Sequence, residues 1–420
     1  MIVLNEKSHC CGCEACVQAC PQGCISFTAD EEGFYYPKVN ANYCIQCGRC
    51  DAVCPVLNQS KATSAESIYA LKCDSDDLRL LSSSGGVFSL FAECVIASGG
   101  VVFGAKFNNE WSVEHGFTEC QNGIEAFRIS KYVQSRIGRT YKEAEKFLKV
   151  GKKVLFSGTS CQISGLKQYL GKNYDNLLTI DVICHGVPSP MVWKKYLAEL
   201  IDNAPKGKNS VSSPLIPLVP ESDAYRATTT AIKGINFRDK RTGWQKFSFA
   251  LTFAKALAEG KQNTVSLSRI HRKDPYMMAF IRNLILRPSC HFCPAKGGKS
   301  RADITLGDFW TIKKWNRDFD DDQGVSMVIV NSNKGNEALG EIMSKTRSLK
   351  MDNLSCLPVN YYNPSKAHPN RNRFFMRMNT STGSITELLT KECKPTLSMM
   401  PRIYTNMFKS AIIRILRKYG

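Results

Sequence analysis

Two segments near the start decide the fold: CCGCEACVQACP at residues 10–21 and CIQCGRCDAVCP at residues 44–55. Each contains the spacing C-x-x-C-x-x-C-x-x-x-C-P, which is typical of bacterial proteins that bind two 4Fe-4S clusters. A cubane needs four thiolates around one small body. A tight loop supplies three of them, and the fourth comes from the other segment. The spacing therefore predicts one cluster on Cys10, Cys13, Cys16 and Cys54, and a second on Cys44, Cys47, Cys50 and Cys20.

Structural zinc is the main alternative, because paired C-x-x-C motifs also bind zinc. Eight cysteines at this spacing, with a proline after each fourth cysteine, favour the clusters. Cys11 and Cys24 are additional to the pattern, and we interpret them as structural residues. The pattern thus predicts a bacterial ferredoxin-like α+β domain over residues 1–57.

Composition indicates an ordinary globular protein that uses cysteine as a ligand. The chain has 420 residues, 43% of them hydrophobic, which is enough for two or three domains with buried cores. A chain of this length does not need its nineteen cysteines as disulfides. Residues 1–9 are polar and lack a basic region followed by an apolar one, so we expect no cleavable leader and a cytoplasmic location.

One apolar stretch, residues 85–105, is about as long as a membrane-spanning helix. Glu93 lies near its middle, and Ser98, Gly99 and Gly100 interrupt it. The following VVFGAKF has the β-branched and aromatic residues of a strand. We therefore predict a buried helix, a glycine turn and a strand.

The formal net charge is +19, and much of the excess lies toward the C-terminus. Such a surface can attract nucleic acid, anionic lipid or an acidic redox partner. No nucleic-acid recognition motif accompanies it, so we expect no nucleic-acid partner. Residues 404–419 fit a basic amphipathic helix, which suggests either peripheral membrane contact or a terminal helix that packs on the body.

Two polar, turn-rich stretches, residues 58–67 and 203–230, divide the rest of the chain. Between and beyond them the sequence predicts an α/β domain in two parts. The predicted regions after the first domain are residues 68–201, residues 231–355, and a basic C-terminal tail at residues 361–420.

Alternating segments in the first part predict a β-α-β unit. KKVLFSG at 152–158 and NLLTIDVICHG at 176–186 are apolar runs that end in a turn, and TSCQISGLKQYL between them has a helical pattern. Such units form parallel sheets, whose ligands bind beyond the carboxyl ends of the strands. In the second part, residues 234–256 predict a hairpin, and ADITLGD predicts a strand with Asp308 at its end.

Four further cysteines, each next to a turn, lie outside the first domain: Cys161, Cys184, Cys290 and Cys293. Four thiols are enough for a third metal site. Buried structural cysteines are one alternative. For Cys161, another is a nucleophile at a helix N-terminus with His185 as its base.

A turn of small residues, SSSGG at 82–86, precedes a predicted helix. Backbone amides at such a helix start can bind the pyrophosphate of a dinucleotide or a flavin. An ordinary helix cap with a flexible turn explains the same residues.

Taken together, these segments resemble the beta-subunit family of deazaflavin (coenzyme F420)-dependent hydrogenases and dehydrogenases. The residues that carry the resemblance are SSSGGVFS at 82–89, KYVQS at 131–135, KKVLFSGTSCQISGLKQYL at 152–170, TIDVICHGVPSP at 179–190, and RPSCHFC with DITLGDFW between 287 and 310. Residues 203–230 and the tail after Tyr361 have no counterpart that we can place.

The resemblance implies FAD beside a 4Fe-4S cluster, with a two-electron substrate approaching the flavin. Clusters transfer single electrons whereas hydride chemistry transfers two, and a flavin joins the two. By position in the family's motifs, the resemblance makes Cys161, Cys184, Cys290 and Cys293 the ligands of a third 4Fe-4S cluster. The flavin contacts that it implies are Ser84, Gly85, Gly86, Gly158 and Thr159.

Two functions are consistent with these features. The first is an iron–sulfur flavoprotein oxidoreductase that passes electrons from reduced ferredoxin through the clusters to FAD and a small organic two-electron acceptor. The second is a non-catalytic subunit that delivers electrons to a partner oxidoreductase, for example in polysaccharide biosynthesis. A flavin domain in the same chain favours the first, and the sequence does not indicate which acceptor is used.

Overall fold

The structure, a computed structural model, describes residues 2–203, 232–256 and 262–394. Most of the polar stretch at 203–230 and the predicted amphipathic helix at 404–419 lie outside the described residues, so the membrane contact of that helix stays a prediction. A small cysteine-rich domain precedes a large mixed sheet with helices on both faces. The expected combination of an α+β and an α/β domain is confirmed.

The first domain is built around an antiparallel hairpin of two strands, β1 (Ile25–Ala29) and β2 (Tyr35–Val39). Each cysteine-rich segment contributes one short helix, α1 (Ala15–Ala19) and α2 (Arg49–Ala52). Helices of five and four residues are too short to be stable alone in water. The domain therefore depends on its ligands and on contacts with the rest of the chain.

Eleven further strands follow in the described residues. They are β3 (Ser67–Cys73), β4 (Val101–Phe107), β5 (Val113–Thr118), β6 (Val154–Thr159), β7 (Leu177–Val182), β8 (Ile232–Asp239), β9 (Ser248–Ala256), β10 (Gln262–Ile270), β11 (Ile304–Asp308), β12 (Ser326–Val330) and β13 (Thr346–Met351). Eight form one sheet in the order β13-β3-β12-β11-β7-β6-β4-β5, and β10-β9-β8 form a second sheet. In the large sheet β4, β6, β7 and β11 run parallel, whereas the outer pairings are antiparallel.

Ten further α-helices are found in the same part of the chain. They are α3 (Asp76–Leu80), α4 (Val87–Ala97), α5 (Thr140–Lys149), α6 (Ser160–Leu170), α7 (Pro190–Asp202), α8 (Pro275–Ile281), α9 (Asn333–Met343), α10 (Val359–Tyr362), α11 (Arg371–Thr380) and α12 (Ile385–Glu392). The predicted β-α-β unit is β6-α6-β7, so this prediction is confirmed. Helices α4 and α9 pack on one face of the large sheet, and α5 and α6 on the other.

Side chains alternate between the two faces along each inner strand. Val154 packs with α5 and α6, and the next residue, Leu155, packs with α4 and α9. The sheet is therefore buried on both sides. This arrangement leaves the carboxyl ends of its parallel strands as the place where a site can open.

The apolar stretch at residues 85–105 forms helix α4, a turn and strand β4, as predicted. Gly99 in the turn has a φ of +74°, a left-handed conformation that glycine adopts without steric cost. In the described part of the chain, no helix combines the length and the apolar character needed to cross a lipid bilayer.

The second sheet confirms the predicted hairpin, since β8 and β9 pair antiparallel around the turn that precedes Trp244. This sheet packs with α7, α8, α11 and α12 around a core that contains Trp193, Phe249 and Tyr276. The three aromatic side chains are almost completely buried. The second sheet is thus fixed to the body of the α/β domain.

Residues 371–393, which the sequence suggested as part of a basic tail, form α11 and α12 and pack on the body. Phe374 and Leu389 are completely buried. The basic residues are used internally, because Arg371 pairs with Glu32 and Arg373 pairs with the buried Glu392. A surface tail therefore does not begin before residue 394.

Candidate functional site

The eight cysteines of the two N-terminal segments lie around two small cavities. Cys10, Cys13, Cys16 and Cys54 line the first, together with Cys11, and Cys44, Cys47, Cys50 and Cys20 line the second, together with Cys24. We call these two sets of four the first and the second cysteine group. Each contains three cysteines of one segment and the last cysteine of the other, which is the crossover that the spacing indicates. In the described part of the chain, no three or more His, Cys, Asp or Glu side chains converge closely enough for a single metal ion.

In both cysteine loops, two residues at equivalent positions adopt the left-handed backbone conformation. They follow the first cysteine by two and by four positions: Gly12 and Glu14 in one loop, Gln46 and Gly48 in the other. A positive φ is uncommon for residues other than glycine. Glu14 is held in place because its buried carboxylate accepts hydrogen bonds from the Arg136 guanidinium, at 2.7 Å from Nε and 2.9 Å from Nη2. This ion pair also fixes the first loop to the α/β domain.

Changing Cys20 to serine is expected to damage the cluster of the second group, although Cys20 belongs to the first segment. The crossover is the reason, and paramagnetic resonance of the reduced protein resolves the two clusters. Cys24 is the matched control, because its Sγ lies only 3.3 Å from that of Cys20 but it is outside the ligand pattern. The Cys24→Ser variant should keep both signals. Loss of the first group's signal in Cys20→Ser would refute the crossover.

Four more cysteines form what we call the third cysteine group. Cys161 is in the first turn of α6 and Cys184 follows β7. Cys290 is in the short 3-10 helix Pro288–Phe292, and Cys293 directly follows that helix. They lie within electrostatic reach, because charge on the other three thiols raises the pKa of Cys290 after the larger effect of burial. The backbone N–H of Val187 points at Cys290 Sγ from 3.3 Å, a hydrogen bond of the kind that tunes cluster sulfurs.

The pKa values of these thiols bear on whether one of them is a nucleophile. Burial raises the pKa of Cys184 to about 12 and that of Cys293 to about 11. For Cys161, the neighbouring Cys11 thiol is the largest cause of a raised pKa and burial is the second. Such thiols stay protonated at neutral pH unless a metal ion displaces the proton. A nucleophilic Cys161 would need a lowered pKa, so the structure does not favour that alternative.

The first and third groups approach each other where α1 packs on α6. Gly165 permits this, because a Cβ there would lie 2.8 Å from Cβ and 3.0 Å from Sγ of Cys13. Between the groups lies Cys11, whose thiol neighbours both Cys13 and Cys161. The sequence suggested only a structural role for Cys11, since its position between two groups depends on the packing of two domains.

A cavity of about 690 Å³ opens at the carboxyl ends of the parallel strands. Its wall includes Thr159 at the end of β6, Cys184 just after β7, and Asp308 at the end of β11. This is the edge at which α/β sheets bind ligands. The volume is within the usual range for pockets that bind small molecules and cofactors, about 300–1,000 Å³.

Four of the five implied flavin contacts line this cavity: Ser84, Gly86, Gly158 and Thr159. Gly85 does not, because its N–H donates to Ser326 Oγ at 3.0 Å and a Cβ there would lie 2.4 Å from the Leu71 carbonyl oxygen. Gly86 has a φ of +86° at the start of α4. A valine at Gly86 is therefore expected to disturb the backbone itself, which makes this change unsuitable as a test of ligand binding.

The second sheet and the loop after β11 form the opposite wall, which the sequence did not indicate. Arg238 donates to both carboxylate oxygens of Asp308, at 2.8 and 2.9 Å. Its guanidinium lies over the rings of Phe247 and Trp310, 4.3 and 4.8 Å from their centroids. Trp310 belongs to the quoted DITLGDFW segment, so a signal for part of this wall was present in the sequence.

His115 belongs to the wall of the cavity. The side chain is 6% exposed, and its Nε2 lies 3.1 Å from the Ser157 carbonyl oxygen. Because a carbonyl only accepts, Nε2 carries the proton and Nδ1 is unprotonated. Burial lowers the pKa of His115 to about 4, so the ring is neutral at physiological pH. Nδ1 is buried and has no hydrogen-bond partner among the described residues.

Two protein-family models match this sequence. The model for the C terminus of the beta subunit of coenzyme F420 hydrogenase/dehydrogenase matches residues 151–212 and 218–354. The model described as "4Fe-4S dicluster domain" matches residues 9–58. The matches cover both the cysteine-rich domain and most of the residues around the cavity.

Individual proteins also show similarity. An uncharacterised ferredoxin of Methanocaldococcus jannaschii is 36% identical over 53 residues, which are 13% of this chain and 68% of the relative. A solved structure of the F420-reducing nickel–iron hydrogenase complex from Methanosarcina barkeri, a xenon derivative, shares 14% identity. That match covers 79% of this chain and 91% of the other, and its TM-score of 0.41 is too low to support an argument.

Proposed function

Because the chain belongs to the coenzyme F420 hydrogenase/dehydrogenase beta-subunit family and carries a two-cluster 4Fe-4S domain, we propose that it is an iron–sulfur flavoprotein oxidoreductase. Electrons from reduced ferredoxin reach the second cysteine group, then the first and the third. FAD and a small organic two-electron acceptor occupy the cavity. The third group holds the third 4Fe-4S cluster in this proposal.

One observation carries the proposal: Cys184 belongs both to the third cysteine group and to the wall of the cavity. A second contact is similar, because the Thr159 hydroxyl lines the cavity and lies 3.2 Å from Cys161 Sγ. A molecule in the cavity therefore lies against the third group. When bound there, FAD supplies the conversion between one-electron and two-electron chemistry.

The second cysteine group is the more solvent-exposed end of the proposed electron-transfer route. Cys47 is exposed, and beside it Tyr43 and Ile45 are 68% and 60% exposed. Apolar side chains exposed together are typical of interaction surfaces. The net charge of +19 favours a donor with an acidic surface, which fits a ferredoxin.

The cavity offers complementary groups for FAD. Lys131 lines it, and burial lowers the pKa of this ammonium to about 7. Two of its donors bind the carbonyl oxygens of Ala126 and Arg128, each at 2.7 Å. Only the protonated ammonium has a third donor, and a bound phosphate would stabilise that form, so in the complex this donor is left for the anionic group.

Anaerobic purification with quantification of iron, sulfide and flavin tests the proposal. We expect about twelve iron atoms per chain, since three cubanes hold four each, and about one FAD. Mixing with reduced ferredoxin in a single turnover should then bleach the flavin absorbance. Eight iron atoms at full cluster occupancy, or a protein without flavin, would contradict the proposal.

A non-catalytic electron-transfer subunit is the second candidate. The rim of the cavity favours it, because Ile281 and Trp310 are 41% and 40% exposed and could contact a partner oxidoreductase. The two functions differ in what they need. An enzyme reduces a free acceptor by itself, whereas an electron-transfer subunit gives turnover only when the partner is added.

A further inference from the structure

Arg287 differs from the other buried arginines in the described part of the chain. A buried charge is costly unless an opposite charge compensates it. Arg79, Arg238 and Arg371 each have a carboxylate partner within 3.1 Å. Arg287 is 0% exposed, and no carboxylate of a described residue lies within 4.0 Å of its guanidinium. Its charge therefore needs another partner.

Hydrogen bonds satisfy the guanidinium but leave its charge uncompensated. Nε donates to the Cys10 carbonyl oxygen at 2.7 Å, and Nη2 donates to that of Tyr35 at 2.9 Å. Nη1 donates to Gln134 Oε1 at 3.0 Å. The first cysteine loop leaves room for the Arg287 guanidinium at Gly12, because a Cβ at that position would lie 3.0 Å from Nη1. The guanidinium carbon also lies 4.3 Å from the ring centroid of Tyr36 and 5.5 Å from that of Phe34, which are cation–π contacts. All of these partners are neutral.

Residues of two cysteine groups adjoin Arg287. Cys10 is the first cysteine of the first group, and Cys290 of the third group donates its N–H to the Arg287 carbonyl oxygen at 3.0 Å. Burial alone would lower the pKa of Arg287, yet the charges of Cys10, Tyr36, Cys11 and Cys290 together raise it. One thiol of the first group, Cys10, and one of the third, Cys290, are thus within electrostatic reach of the guanidinium, together with Tyr36 and Cys11.

We propose that Arg287 is the shared counter-ion of the first and third cysteine groups when they hold their clusters. A cubane with four thiolates is negatively charged, and more so when reduced. A fixed positive charge in a medium of low dielectric constant stabilises the reduced form of each cluster. Arg287 therefore raises the reduction potentials of the first and third clusters relative to the potential of the cluster in the second group. This inference rests on the third cluster of the proposed function.

Arg287→Gln tests the role of the charge. We expect the equilibrium constants for one-electron reduction of the first and third clusters to fall about tenfold or more. A tenfold fall corresponds to a reduction potential that is lower by about 59 mV. A redox titration followed by paramagnetic resonance measures it. The second cluster should not change, which makes it an internal reference. Arg287→Lys keeps the charge and should restore most of both potentials. Equal shifts of all three clusters, or no shift, would overturn the inference.

Gln134→Glu gives an independent test that leaves Arg287 in place. The new carboxylate would stand where Gln134 Oε1 now accepts from Nη1, and it would neutralise the guanidinium. We expect the same two potentials to fall. The change also removes the hydrogen bond that Gln134 Nε2 donates to the Cys11 carbonyl oxygen at 3.3 Å, so the readout is the potentials and not the stability. If Arg287→Gln does not assemble its clusters, Gln134→Glu decides the question.

Iron analysis separates the inference from the proposed function. Twelve iron atoms with unshifted potentials in both variants would overturn the counter-ion role and leave the proposed function standing. Eight iron atoms and no third signal in the unmodified protein would overturn the proposed function and the shared role of Arg287 with it.

Discussion

Changing Cys293 to serine is expected to lower the iron content from about twelve to about eight atoms per chain and to disconnect the cavity from the N-terminal clusters. Cys293 belongs to the third group but is not part of the cavity wall, so FAD should stay bound. Reduced ferredoxin should then reduce the two N-terminal clusters while the flavin absorbance stays oxidised. Anaerobic stopped-flow spectroscopy distinguishes the two chromophores.

A matched control is Cys94→Ser. Cys94 is a half-buried cysteine in α4 that belongs to none of the three groups, so this variant should keep its iron and its flavin reduction. The third group would lose its proposed role if Cys293→Ser kept about twelve iron atoms. Flavin reduction at the unmodified rate in that variant would show that electrons take another route.

Local patterns explain which parts of the fold could be predicted. The β6-α6-β7 unit, helix α4 and the β8-β9 hairpin each follow from apolar periodicity ended by glycine or a turn. The cysteine spacing likewise predicts the arrangement of the ligands, because each loop must present three thiols to one cluster. These features depend on neighbours in sequence, and a single sequence contains that information.

The rest of the site depends on contacts between distant segments. Arg238 and Asp308 are 70 residues apart, and nothing in the sequence around either residue indicates that they meet at the cavity. Arg287 is read from the sequence as one more basic residue, and only the packing shows that it is buried without a carboxylate. The same applies to Arg371, whose partner Glu32 lies 339 residues away in the first domain. Charged residues in a basic segment suggested a solvated tail, because the acidic partners are remote in sequence.

Changing Asp308 to alanine is expected to lower the free energy of unfolding by about 3–5 kcal/mol, the usual cost of leaving one partner of a buried ion pair uncompensated. The Arg238 side chain is 1% exposed, and Asp308 accepts both of its terminal donors as well as the Trp244 indole N–H at 3.0 Å. Removing the carboxylate leaves a cation in the wall of the cavity. Denaturant unfolding of the anaerobically loaded protein measures the effect.

Two further variants show whether the buried charge is the cause. Glu341→Ala breaks the exposed pair with Lys153, and it should cost about 0–1 kcal/mol because water screens that pair. Replacing Arg238 and Asp308 together by leucine removes both charges, so most of the stability lost in Asp308→Ala should return. If the double variant is less stable than Asp308→Ala, the hydrogen bonds from Arg238 to Tyr132 and Ser83 matter more than its charge. The wall opposite the clusters would then be held by those hydrogen bonds and not by the ion pair.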